Sequence, residues 1–250
     1  MRAKAFQLEV GLTLSLWDLF GSTGPCELAL ETLARCLPSD NPRVARFLER
    51  AGRRVMSMAP RRPPCPDLAL VTVAPDDERS EILAIIEVKT GAGPNWPLQS
   101  SAVKLEQLDG PVAAEITDFY FGEDPGWIGM TMCQTDLYRS RNWWHPSDMV
   151  FWGNPDEVLW LIFDSYGRNP ADTFSDSARP DEWLTVDLKL FAEHLRELRA
   201  SMILTKEHQD TVAAVLWHLD RAPSPIRAVA ELPQAEEELQ GPLDEPAITR

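Results

Sequence analysis

Residues Pro66–Lys89 read PDLALVTVAPDDERSEILAIIEVK. Two runs of β-branched and large apolar side chains, Leu68–Val73 and Ile82–Val88, are separated by the polar link APDDERS. Proline restricts φ and aspartate bonds locally to the backbone, so this link predicts a turn centred at Asp77. The stretch therefore predicts a β-hairpin.

Charged side chains cluster at the open end of this hairpin. The register set by the turn pairs Val73 with Glu81 and Asp67 with Glu87. Side chains alternate along a strand, so Glu87 and Lys89 project from one face. The sequence therefore predicts two carboxylates and an ammonium together beside otherwise apolar strands.

This combination of charges points to a metal site. Buried charges cost free energy unless they are paired or bind a metal. Two close carboxylates raise each other's pKa, and a divalent cation relieves that repulsion. Oxygen-only ligands suit Mg²⁺ or Mn²⁺ rather than Zn²⁺, and a nearby lysine stabilises charge on a phosphate or holds a water. The chemistry indicated is metal-assisted phosphodiester hydrolysis.

Pro66-Asp67 followed by Glu87-Val88-Lys89 at the end of an apolar strand resembles the PD-(D/E)xK nuclease superfamily, over roughly Glu9 to Gly167. The resemblance implies that Asp67 and Glu87 bind Mg²⁺ or Mn²⁺, that the Val88 carbonyl helps, and that Lys89 assists catalysis. It implies an α/β, restriction-endonuclease-like fold with a mixed central sheet flanked by helices. The alternative is a solvated strand end with an ordinary Glu-Lys pair.

The first helix carries a carboxylate inside its apolar arc. Phe6–Phe20 has helical periodicity, and Glu9 projects between Leu16 and Phe20. Many nucleases of the superfamily have an acid on this helix that reaches the metal through water, and Glu9 resembles it. The alternative is an acid at a helix start, favoured there by the helix dipole.

A second motif follows on a predicted helix, Trp127–Arg141. Gln134 and Tyr138 are four residues apart and share one face of that helix. This Q-x-x-x-Y pattern resembles the RecB-like branch of the superfamily, in which both residues lie near the metal site. The alternative is a Gln and a Tyr that face the core.

Arginines are concentrated on the polar side of a predicted helix, Asn41–Gly52, and in the loop after it. Asn41 is the predicted cap of this helix, with Pro42 at its first position. The basic run leads to Asp67 and predicts a phosphate-binding patch. A solvated helix face is the alternative. The residues assigned to the patch are Arg46, Arg50, Arg53, Arg54, Arg61 and Arg62.

The rest of the chain predicts further helices and strands in one domain, residues 1–222. Pro223–Arg250, rich in proline and glutamate, predicts a flexible acidic tail. The remaining predicted elements are a helix at Cys26–Leu37, strands at Val112–Phe121, Met149–Trp152 and Val158–Tyr166 with the last two around a Gly153–Asp156 turn, a polar loop at Gly167–Pro180, and helices at Val103–Leu108, Asp181–Met202 and Lys206–Ala222.

Composition limits the classes of function. The 250 residues are 44% hydrophobic, enough for a sizeable core, and carry a net charge of −15, so any nucleic-acid site must be a local patch. Four cysteines without a CxxC pair predict buried or free thiols in a reducing cytoplasm. No signal peptide or membrane-length apolar run is visible, which predicts no membrane association.

Expected partners follow from the resemblance and from the acidic surface. They are nucleic acid, with DNA favoured over RNA, and a protein partner in a larger complex, and a homodimer is compatible with them. Nucleases of this superfamily often serve antiviral defence, restriction or repair. The alternative function is a non-cleaving module that binds nucleic acid or protein.

Overall fold

The computed structural model describes residues 2–21, 23–51, 55–58, 66–72, 80–90, 136, 138, 151–152, 156–173 and 179–222. Helices and strands alternate along these segments. In chain order they are α1 (Arg2–Phe20), α2 (Cys26–Cys36), α3 (Pro42–Ala51), β1 (Val55–Met58), β2 (Leu68–Thr72), β3 (Ser80–Lys89), β4 (Phe151–Trp152), β5 (Leu159–Asp164), α4 (Pro170–Thr173), a 3-10 turn (Pro180–Glu182), β6 (Trp183–Asp187), α5 (Leu188–Ser201) and α6 (Lys206–Leu219).

The strands form one mixed sheet in the order β1-β2-β3-β5-β6. The first three strands are antiparallel neighbours, whereas β5 and β6 run parallel to β3. Strand β4 pairs in parallel with the start of β3. The predicted α/β class, with a mixed central sheet and flanking helices, is confirmed.

The predicted hairpin is confirmed at its open end. Leu68 pairs with Ile86 and Leu70 with Ala84, in the register expected from the turn. The register then shifts by one residue, so Val71 pairs with Ile82 across a β-bulge. The predicted partner of Glu81, Val73, lies outside the described residues.

Apolar side chains cover both faces of the sheet. On one face, alternate residues of β2, β3 and β5, such as Ile86 and Phe163, pack with α1, α2, α3, α5 and α6. On the other face, Ile85, Trp160 and Ile162 pack against Tyr138. The central strands are buried on both sides, as expected for near-continuous apolar runs in parallel strands.

Side-chain caps mark several helix starts, of which two bear on the sequence predictions. Asn41 Oδ1 accepts a hydrogen bond from the backbone N–H of Arg43 over 2.9 Å at the start of α3, which confirms the predicted cap. Asp187 accepts from the N–H groups of Lys189 and Leu190 at the start of α5. The second cap marks the point at which β6 becomes helix.

Several sequence predictions differ from the structure. Trp183–Asp187 is a strand, although it was expected to be helical, because its β-branched residues pair with β5. Val55–Met58 is a strand in a segment expected to be a loop. The expected hairpin partner of β5, Phe151–Trp152, pairs instead with β3. The expected loop Gly167–Pro180 contains the short helix α4.

Other predictions fall on residues that the structure does not describe. They are the helix Val103–Leu108, the strand Val112–Phe121, the tail Pro223–Arg250, and the helix Trp127–Arg141 except for Asp136 and Tyr138, which are helical. Among the described helices, none has the length and apolar character needed to cross a bilayer.

Candidate active site

Glu87 and Lys89 lie at the carboxyl end of β3, on one face of the sheet. Lys89 Nζ donates to Glu87 Oε1 over 2.6 Å, and the two side chains are only 18% and 3% exposed. Val88, between them, packs on the opposite face. The alternation of a regular strand thus brings the acid and the base together, as predicted.

Asp67 joins this pair from the residue before β2. Its Oδ2 accepts a hydrogen bond from the backbone N–H of Val88 over 2.7 Å. Burial, followed by the negative charge of Glu87, raises the pKa of Asp67 well above its usual range, while Lys89 and the Val88 N–H act in the opposite direction. A nearby cation would therefore stabilise the charged form of this carboxyl group.

Glu9 reaches the same edge from α1. Its Oε2 accepts from the backbone N–H of Thr90 over 3.4 Å. Burial raises the pKa of Glu9, and the positive charge of Lys89 partly offsets this. The helix begins at Arg2, so Glu9 lies beyond its first turn and the helix-dipole alternative has little force.

The charge state of Lys89 follows from its three acidic neighbours. Burial acts to lower the pKa of Lys89, but the negative charges of Glu87, Asp67 and Glu9 outweigh it, so the pKa is raised. Lys89 is therefore an ammonium ion at neutral pH. It can donate hydrogen bonds and stabilise negative charge, but it cannot accept a proton.

Tyr138 contacts the site from the other side of Glu87. Its hydroxyl group donates to Glu87 Oε2 over 3.4 Å, and its ring is fully buried with Ile85 and Ile162. Tyr138 therefore lies in the core and also contacts Glu87. Gln134 lies outside the described residues.

The two described arginines of the predicted phosphate-binding patch, Arg46 and Arg50, do not join this site. Arg46 contacts Glu157 over 3.4 Å, and Arg50 contacts both Glu157 and Glu81. Glu81 and Glu87 are six positions apart on β3, which is about 20 Å along a strand. These ion pairs favour the solvated-face interpretation. The other members of the patch, Arg53, Arg54, Arg61 and Arg62, lie outside the described residues.

An ion pair that the sequence did not suggest lies beside the site. Asp164 ends β5, is fully buried, and pairs in register with Lys89. Arg168 donates to both of its carboxylate oxygens, over 2.9 and 2.7 Å. An aspartate that ends an otherwise apolar strand was the available signal, but only the parallel pairing of β5 with β3 reveals its neighbour.

The acidic residues fit a hydrated divalent cation by their chemistry. Asp67, Glu87 and Glu9 offer only oxygen atoms, and a cation would oppose the effect of burial, which raises the pKa values of Asp67 and Glu9. In the part of the chain that the structure describes, no three or more His, Cys, Asp and Glu side chains are arranged to hold a metal ion. Mg²⁺ commonly binds one or two carboxylates and keeps several waters, so this donor set remains suitable.

Comparisons of the chain with models of protein families, with curated proteins and with solved structures find no match. The resemblance to PD-(D/E)xK nucleases therefore depends on the motif residues and on the geometry that surrounds them.

Proposed function

We propose that the chain is a metal-dependent nuclease of the PD-(D/E)xK superfamily, with a restriction-endonuclease-like fold, that hydrolyses phosphodiester bonds of nucleic acid. The convergence of Glu9, Asp67, Glu87 and Lys89 at the end of β3 carries this proposal. The mixed sheet with flanking helices supports the fold that the motif implies. DNA is favoured over RNA as the substrate.

In this proposal Asp67 and Glu87 would hold Mg²⁺ or Mn²⁺, the Val88 carbonyl would assist them, and Glu9 would act on the ion through water. The bound ion supplies Lewis acidity toward a phosphoryl oxygen and lowers the pKa of a coordinated water. All of these ligands present oxygen, as this class of cation requires.

Lys89 acts as a fixed cation. Glu87 holds its Nζ at 2.6 Å, so the ammonium group is oriented before the substrate arrives. It stabilises the negative charge that develops on the phosphate oxygens as water attacks. Because Lys89 stays protonated, it does not take the proton of that water.

Tyr138 is a positioning residue. Its hydroxyl group donates to Glu87 Oε2 while Lys89 donates to Oε1, so Glu87 is held from two directions. Gln134, four residues before Tyr138 in the sequence, would support the same groups or the backbone phosphate in this proposal.

A second candidate function is a non-cleaving module that binds a protein partner. The charge distribution favours it, because the chain carries a net charge of −15 and its α3 arginines are paired with its own glutamates. Such a surface repels nucleic acid outside a local patch. Cleavage separates the two candidates.

The test is incubation of purified full-length protein with labelled single- and double-stranded DNA and RNA. Parallel reactions contain Mg²⁺, Mn²⁺ or a chelator. We expect shortened products with either metal and none with chelator. Intact substrates in every reaction would reject the nuclease and favour the non-cleaving module.

A further inference from the structure

The pair formed by Asp164 and Arg168 is built with more constraint than a surface ion pair. Arg168 donates to Asp164 through Nε and Nη2, and its backbone N–H also donates to Asp164 Oδ2 over 2.9 Å. Thr185 Oγ1 donates to the Arg168 carbonyl over 2.6 Å. Both the backbone and the guanidinium group of Arg168 are therefore fixed.

The turn that carries Arg168 has its own geometric requirement. Gly167 adopts a φ of +59°, and an added Cβ would lie 2.8 Å from Asp187 Oδ2. Glycine thus allows the chain to reverse tightly after β5. The reversal returns Arg168 to the carboxylate of Asp164, at the carboxyl end of the strand.

Arg168 lies at the same edge and face of the sheet as the candidate active site. Asp164 pairs in register with Lys89, and parallel neighbours are about 4.8 Å apart with side chains on the same face. Because Arg168 holds the Asp164 carboxylate, its guanidinium group lies on that face too. About a quarter of its side chain is exposed, whereas Asp164 has no exposure.

Stability alone does not account for this arrangement. A buried ion pair contributes little net free energy of folding, because desolvation offsets the attraction between the charges. It does, however, pre-orient a planar donor group, and a guanidinium group donates strong hydrogen bonds to phosphate oxygens. An acidic nuclease needs such local cations beside its scissile phosphate.

We propose that Arg168, oriented by Asp164, binds a backbone phosphate of the nucleic acid next to the phosphate engaged by Lys89. This inference rests on the proposed function for the identity of the ligand. Arg168 is a binding residue here, and Asp164 positions it. Arg168 would contact a single phosphate group, so its replacement should remove about one phosphate contact.

The experiment measures binding of a fluorescein-labelled 20-nucleotide DNA, single- or double-stranded, by anisotropy over a range of salt concentrations. A Glu87→Gln background with Mg²⁺ limits cleavage. Arg168→Gln should weaken binding and reduce the salt slope by about 0.7 for single strands or 0.9 for duplex. The matched control is Arg179→Gln, since Arg179 is 31% exposed and pairs with Glu182 at the opposite, amino end of β6.

An unchanged salt slope in a folded Arg168→Gln protein overturns the inference, as does an equal reduction in the Arg179→Gln control or a failure of any form to bind. If Arg168→Gln does not fold, a double variant, Asp164→Asn with Arg168→Gln, avoids a buried unpaired carboxylate. If the double variant also unfolds, the pair is structural and the inference is wrong.

The outcomes separate this inference from the proposed function. Cleavage by the unaltered protein, together with an unchanged salt slope in Arg168→Gln, rejects the role of Arg168 and keeps the nuclease. A reduced slope without any metal-dependent cleavage keeps the phosphate site and rejects the nuclease.

Discussion

Burial acts in opposite directions on the pKa values of the acids and of the lysine at the end of β3. Burial raises the pKa of Asp67, so at pH values between its unfolded and folded pKa the folded protein keeps a proton that the unfolded chain releases. The pKa of Lys89 is also raised, but through the charges of Glu87, Asp67 and Glu9, which overcome burial. The group therefore contains two acids, Asp67 and Glu9, whose pKa values burial raises, and one lysine whose charged form the neighbouring acids stabilise.

Asp67 should make the metal-free protein less stable as pH rises. Above its usual pKa of 3.8, the unfolded chain loses a proton that the folded protein keeps, so the free energy of unfolding falls until the raised native pKa is passed. Asp67→Asn should flatten this fall. Urea denaturation in chelator from about pH 4 to about pH 8 measures it, with Asp18→Asn, on an exposed part of α1, as the control for a lost charge. Parallel pH profiles for Asp67→Asn and the unaltered protein would contradict the prediction.

Lys89→Ala should retain substrate binding and most of the metal affinity but lose turnover. Loss of one preorganised donor typically costs on the order of 10²–10³ in rate. Lys89→Arg should restore little, because a planar fork does not replace a compact ammonium group. Single-turnover cleavage, Mn²⁺ calorimetry and the anisotropy of labelled DNA, on the same preparations, measure the rate, the metal affinity and the substrate binding. A Lys89→Ala protein with full turnover would remove the lysine from the mechanism.

At the scale of elements, local sequence patterns predict the features that depend on residues close together in the chain. The hairpin register follows from two apolar runs and a polar link, so Asp67 and Glu87 could be aligned from the sequence. The bulge near Leu83 could not, because a one-residue insertion leaves the apolar composition of β3 unchanged. The sequence predicts a helix over Trp183–Asp187, which is a strand, because the apolar pattern of α5 continues into this segment without a break.

Strand order explains the part of the site that sequence reasoning missed. Asp164 meets Lys89 only because β5 lies next to β3, and 69 residues separate the end of β3 from the start of β5 (159 minus 89, less one). No local pattern encodes a parallel pairing across that distance. Glu9, in contrast, was found because a carboxylate inside an apolar helical arc is visible in the sequence itself.

The contact of α1 with α6 depends on a glycine. A Cβ at Gly11 would lie 2.5 Å from His218 Cε1, and His218 Nδ1 is buried without a hydrogen-bond partner in the described residues. This close approach positions the helix that carries Glu9. The helix packing therefore has a steric requirement that can be tested separately from catalysis.

Gly11→Ala should lower the free energy of unfolding by about 1 kcal/mol. Overpacking costs about 1–3 kcal/mol, and the better helix propensity of alanine offsets about 0.5–1 kcal/mol. In a His218→Ala background the clash is absent, so the same change should stabilise by about 0.5–1 kcal/mol. Urea denaturation of the four proteins gives the double-mutant cycle. The same loss of stability in both backgrounds would mean that the added methyl group at position 11 and the His218 ring do not compete for space.

At the scale of the whole molecule, opposite edges of the sheet differ in how charge is used. At the amino end of β3, Arg50 is matched by Glu81 and Glu157 in ion pairs that join α3 to the sheet. At the carboxyl end, three acids surround one lysine. The end of the sheet proposed to bind phosphate therefore offers a single ammonium group among acids, in a chain whose net charge is −15.

The two glutamates of β3 provide the most direct test. Glu81 and Glu87 lie on the same strand, each in an ion pair with a basic side chain, with side chains 12% and 3% exposed. Glu87→Gln and the matched Glu81→Gln control are compared for metal-dependent cleavage of labelled DNA, after circular dichroism has shown that both are folded. The account predicts that Glu87→Gln abolishes cleavage and that Glu81→Gln retains it. Cleavage by a folded Glu87→Gln protein at the rate of the unaltered protein would contradict the account.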